Sequence, residues 1–185
     1  MNAMASSLCD KFLSQHSFSI LHLQFSILFD KPCLLFFIQL KFITADRGNP
    51  FMFDTVLIAG LGLMGGSMAK TIKARTLSRV LGWNRTRATA EQALADGSID
   101  AIATEALYKE ADLVIIGLYP QATVDWLLEN MPKMKKGCVI VDMVGVKQFM
   151  VDHLEQAALD AGVHYVGGHP MAGREFSGLD YSLPT

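Results

Sequence analysis

The 185-residue chain is 51% hydrophobic and 18% charged, which supplies apolar surface for one compact domain with an appendage. Its formal charge of −2 sets up no field that would favour nucleic acid or an anionic membrane. Cys9, Cys33 and Cys138 stand far apart with no Cys-x-x-Cys spacing, which argues against a disulfide framework or a metal site and suits a reducing cytoplasm.

Residues 1–51 read unlike the rest. Phe18 to Ile43 is rich in Phe, Leu and Ile, but Asp30, Lys31 and Pro32 interrupt the run, and a membrane span needs about 20 mainly apolar residues. Lys11 is the lone basic residue before it and no small-residue cleavage site follows, so a secretory signal fits poorly. The alternation Phe25-Ser26-Ile27-Leu28-Phe29 is only faintly strand-like. We read 1–51 as a hydrophobic extension, non-native or disordered, with residues 46–50 as a linker and Met52 as a sensible natural start. The dinucleotide-binding domain described next then occupies 52–185.

From Phe53 the pattern becomes regular. Thr55 to Ala59 reads as strand one, and Met64 to Ala74 as the first helix. Arg79 to Trp83 is strand two. Ala88 to Ala95 is a helix stopped by Asp96-Gly97. Ile99 to Ala103 is a short strand three, and Asp112 to Gly117 a fully apolar strand four. Pro120 opens the next helix, where its missing N–H costs nothing. Cys138 to Asp142 is strand five, with Cys138 a small core residue. Lys147 to Ala161 is a helix stopped by Gly162, and His164 to Val166 is strand six. This alternation predicts an α/β, Rossmann-type, doubly wound parallel sheet in the order 3-2-1-4-5-6, with ligands at the carboxyl ends of the strands.

Gly60-Leu61-Gly62-Leu63-Met64-Gly65 follows a strand and opens a helix, the context that makes a glycine pattern informative. Gly60 permits the turn, Gly62 lets the backbone approach a pyrophosphate, and Gly65 lets helix and strand pack closely. The free N–H groups of the helix start would hold the anion. Strand two ends in Asn84-Arg85-Thr86 without the carboxylate that binds the ribose of NAD. Donors and a positive charge there favour the 2′-phosphate of NADP over NAD. Tyr119, just past strand four, is placed with the cofactor-binding residues.

Strand six runs into Gly167-Gly168-His169-Pro170, which should emerge at the carboxyl edge near the reactive end of the cofactor. A histidine there could accept a proton while a hydride leaves the same carbon. The alternative is a turn histidine satisfied by backbone. His153, within a helix, and His164, at a strand start, read as structural or exposed.

The glycine loop through Ser67, together with Gly168-His-Pro-Met-Ala-Gly-Arg-Glu-x-Ser-Gly178, resembles the prephenate/arogenate dehydrogenase family of tyrosine biosynthesis over about Phe53 to Thr185. The first motif is shared with other Rossmann dehydrogenases, and the second is much more specific. The resemblance implies oxidative decarboxylation of prephenate or arogenate with hydride transfer to NAD(P). It makes His169 the catalytic histidine that engages the ring hydroxyl. Glu175, Lys147 and Gly145 then lie near the substrate. Many members carry a serine at the place of Gly145. The family also continues into a helical second domain that binds substrate and forms the homodimer, so this chain reads as the cofactor half. Alternatives are a β-hydroxyacid dehydrogenase, or a nucleotide-binding module without turnover.

Overall fold

Residues 53–169 and 178–184 are described in the computed structural model. The expectations for residues 1–51 and for Glu175 fall outside those residues. Six strands form one sheet: β1 (Thr55–Ala59), β2 (Arg79–Trp83), β3 (Ala101–Ile102), β4 (Leu113–Ile116), β5 (Val139–Asp142) and β6 (His164–Gly167). All pairings are parallel and the order is β3-β2-β1-β4-β5-β6, as expected from the sequence.

The strands read as continuous apolar runs because both faces are covered. Side chains alternate across a strand, so each run feeds two cores. Val56, Ile58, Val80 and Ile115 pack on one face with Met68, Ala69 and Ile72 of α1 (Leu63–Arg75) and with Ala90 and Ala93 of α2 (Arg87–Ala95). A single helical turn, α3 (Glu105–Tyr108), contributes Tyr108 to the other face. There Leu57, Leu81, Val114, Ile116 and Ile140 meet Trp126 and Leu127 of α4 (Pro120–Asn130) and Met150, Leu154 and Ala158 of α5 (Lys147–Ala161). Each fully buried Leu or Ile contributes about 1.5–3 kcal/mol. Pro120 is the first residue of α4, and Gly162 (φ 70°) ends α5 in the left-handed region with its N–H on Ala158 O.

Element ends shift by a residue at several places and short helical turns add to the expected elements, and three of the differences bear on the site and core. Helix α1 starts one residue early, at Leu63. Strand β3 is two residues rather than five; at its start the Asp100 carboxylate takes the Val80 N–H at 2.7 Å, where a lengthened ladder would need a carbonyl. A 3₁₀ turn at Leu179–Tyr181, unmarked by any periodicity, seats Leu179 in the α1-side core. Among the described residues no helix is long and apolar enough to cross a membrane.

Candidate active site

The candidate positions lie where β1, β2, β4, β5 and β6 end, at the carboxyl edge of the sheet. The first is the glycine loop after β1. Gly60 adopts φ +97°, and a Cβ there would stand 2.5 Å from Gly117 O, so the turn demands glycine on both counts. A Cβ on Gly65 would stand 1.8 Å from Gly60 O, which no side chain can survive. Gly62 differs: a Cβ built there meets nothing within 4 Å, so its bare backbone faces open space. Gly62 is the N-cap of α1, makes no side-chain cap, and no acidic residue occupies the first turn. The leading N–H groups of Leu63, Met64 and Gly65 therefore have no intrahelical acceptor and present positive charge to that space. This cradle fits a dinucleotide pyrophosphate, and a side chain at residue 62 would fill it.

Leu61 plays a different part from its neighbours. Its side chain is fully buried in the α1-side core, and its N–H donates to Asn84 Oδ1 at 3.0 Å. Asn84 Nδ2 donates in turn to Thr86 O at 3.1 Å. The amide thus laces the glycine loop to the end of β2. Arg85 and Thr86 are exposed beyond it, and Thr86 makes no side-chain cap to α2. Tyr119, the residue before α4, is 84% exposed at the same edge, an aromatic face open to a flat ligand.

Contacts run from this cradle to the far side of the edge. Gly117, after β4, lies against the glycine loop: a Cβ there would be 3.1 Å from Gly60 O, 3.3 Å from Gly65 N and 3.1 Å from Met143 Cε. Met143 follows β5. Two residues on, a Cβ on Gly145 would lie 3.4 Å from His169 Nε2. His169 itself is exposed, at the end of the turn after β6. The sequence-derived residues on β1, β4, β5 and β6 are therefore joined through packed neighbours.

Lys147, expected near substrate, has its ammonium drawn inward onto Asp142 Oδ1, with its stem over Gly167. Burial lowers its pKa even though the carboxylate beside it pulls the other way. Asp142 is fully buried. It also accepts the Val144 N–H at 2.7 Å and the Tyr165 hydroxyl. Burial, reinforced by that carboxylate, pushes the Tyr165 phenol well above its ordinary range. Asp142 and Tyr165 escaped the sequence reading. The available signal was a carboxylate closing the apolar strand Val139-Ile140-Val141 with a lysine five residues on. His153 holds Phe149 O with Nδ1 at 2.8 Å on the helix surface, and His164 is exposed, so neither joins the site. Among the described residues no group of three or more His, Cys, Asp or Glu is arranged to hold a metal ion.

Comparison with known proteins agrees with this geometry. The family described as "Prephenate dehydrogenase, nucleotide-binding domain" matches residues 68–185. The prephenate dehydrogenase of Bacillus subtilis (strain 168) is 39% identical over 132 residues, covering 69% of this chain and 35% of that protein. That of Lactococcus lactis subsp. cremoris (strain MG1363) is 30% identical over 129 residues, 67% of this chain and 36% of the relative. The chain thus spans about a third of the length of the curated relatives it matches. Among solved structures, prephenate dehydrogenase from A. aeolicus in complex with hydroxyphenyl propionate and NAD+ superposes with TM-score 0.62 at 27% identity, over 70% of this chain and 46% of that one. Synechocystis arogenate dehydrogenase shares the fold, with TM-score 0.62 at 24% identity over 70% of this chain and 45% of that one.

Proposed function

The chain belongs to the prephenate dehydrogenase family as its nucleotide-binding domain, and from that premise we propose that it holds NAD(P) for the oxidative decarboxylation of prephenate or arogenate in tyrosine biosynthesis. One observation carries the reading: an open backbone cradle at Gly62 and an exposed imidazole at His169 occupy the same sheet edge, linked through Gly117, Met143 and Gly145.

Bound nicotinamide supplies the acceptor for a hydride from the ring carbon that bears the hydroxyl. The chain's own residues do the rest. The N–H groups at the start of α1 hold the pyrophosphate and fix the cofactor's direction across the edge. Arg85 and Thr86 take the ribose end, which favours NADP over NAD, and Tyr119 offers a stacking face there. His169 accepts the proton of the ring hydroxyl as the hydride departs. Loss of carbon dioxide then leaves an aromatic ring, which pulls the reaction forward. Gly145 and Glu175 lie on the substrate side, and Lys147, turned inward onto Asp142, braces that side from behind.

We further propose that the whole enzyme is a cytoplasmic homodimer in which a helical domain clamps the substrate, so that this chain alone binds cofactor and turns over slowly. Positioning supplies much of an enzyme's rate, and the clamp is what positions. Calorimetry with NADP and NAD, paired with prephenate and arogenate turnover by this chain alone and joined to the second domain of a relative, tests the reading. Absence of binding to either cofactor would overturn it.

A further inference from the structure

We propose that the Asp142 carboxylate is the positioning group that sets His169 against Gly145, a role that rests on the reading of His169 given above. Asp142 closes β5 and is fully buried, yet its carboxylate is not spent on one partner. On one side it holds the loop leading to α5, through the Val144 N–H at 2.7 Å and the Lys147 ammonium. Gly145 lies between those two points. On the other side it accepts the Tyr165 hydroxyl from β6. Its backbone carbonyl accepts the Gly168 N–H at 3.0 Å, one residue before His169. One residue therefore grips both segments whose approach brings His169 Nε2 to the bare face of Gly145.

The chemistry explains why a carboxylate stands there. A buried anion is tolerated when donors surround it, and three converge here: an amide, an ammonium and a phenol. Two oxygens with several lone-pair directions can serve segments arriving from different sides, which an amide or hydroxyl serves less well. Gly167 belongs to the same device. A Cβ on it would stand 3.1 Å from Lys147 Cδ, so glycine leaves the lane along which the lysine stem reaches inward. Lys147 and Tyr165 are thereby committed to Asp142 rather than to a ligand.

The test uses the 185-residue chain and reads the imidazole directly. Histidine side-chain NMR spectra are recorded at one fixed pH for the wild type, Asp142→Asn and Tyr165→Phe, together with thermal unfolding and NADP affinity. The expected result is a shifted His169 side-chain resonance in both variants. The signals of His153 and His164, which lie outside the network, stay in place, and NADP affinity changes less than about twofold. Unmoved His169 signals in Tyr165→Phe, with unfolding temperature lowered, would make the network a structural brace and overturn the proposal. Tyr165→Phe keeps the ring and the backbone bonds, so it decides the matter even where Asp142→Asn fails to fold. Turnover is not read, so failure of the proposed reaction would be a separate outcome.

Discussion

A carbon placed on Gly145 would rest 3.4 Å from His169 Nε2, an ordinary contact distance. Gly145 is also absent from the glycines with positive φ, so its backbone accepts an L side chain without strain. Gly145→Ser should therefore fold normally and carry a hydroxyl to the imidazole. One such hydrogen bond is worth about 1 kcal/mol, roughly fivefold in rate. Steady-state kinetics with prephenate, in a protein joining this chain to a second domain, should show kcat raised by that order. A lowered kcat would mean that the glycine is required.

The glycine loop makes a sharper prediction. Gly65→Ala drives a methyl into Gly60 O, where backbone rather than a yielding side chain must move. The strain exceeds the ~1–3 kcal/mol typical of overpacking, and the first turn of α1 must shift. Isothermal titration should show NADP affinity falling by about tenfold or more. Gly62→Ala meets no protein atom, so it should preserve the melting temperature while still blocking the cradle. Retained affinity in Gly62→Ala would remove the cradle from the cofactor site.

Cofactor choice rests on the end of β2. Because Asn84 is occupied with Leu61 and Thr86, discrimination falls to the exposed Arg85 and Thr86. Arg85→Ala should cost NADP on the order of 1.5–3 kcal/mol, about 10–150-fold in affinity, and leave NAD nearly unchanged. Tighter binding of NAD by the wild type, insensitive to this substitution, would refute the preference for NADP.

Cys138 gives a pH prediction. Burial raises its thiol from 9.0 to about 12, with the Lys135 charge opposing and Asp112 adding. Between those values the unfolded chain ionises its thiol and the folded chain does not. The stabilisation is complete below 9.0 and is lost as pH rises toward 12. Cys138→Ala should flatten that alkaline decline in denaturant melts. At about pH 8, iodoacetamide should spare Cys138 in the native protein and label it once unfolded, as peptide mass spectrometry can read. Native labelling at a rate typical of a free thiol would contradict the burial.

Much of this molecule is local and therefore legible. The runs Val56-Leu57-Ile58 and Leu113-Val114-Ile115-Ile116 declare buried parallel strands, since only strands covered on both faces are apolar at every position. Gly162 and Pro120 mark helix ends because each carries its backbone preference wherever it stands. The glycine loop could be found for the same reason: turn, cradle and close packing are demanded of consecutive residues.

What the sequence left open depends on partners far along the chain. Asn84 looks like a ligand donor when read alone, and only its meeting with Leu61, 23 positions away, shows that it laces the loop. Lys147 looks free until Asp142 and Gly167 draw its ammonium inward. Asp142 becomes a hub only when Tyr165 arrives, also 23 positions on. By itself the sequence determined the strand order and the glycine turn at the head of α1, and marked a candidate histidine, because periodicity and glycine geometry act over a few residues. The tertiary structure decided which polar groups stay exposed at the sheet edge and which turn inward, because a buried charge must find its donors wherever the fold brings them.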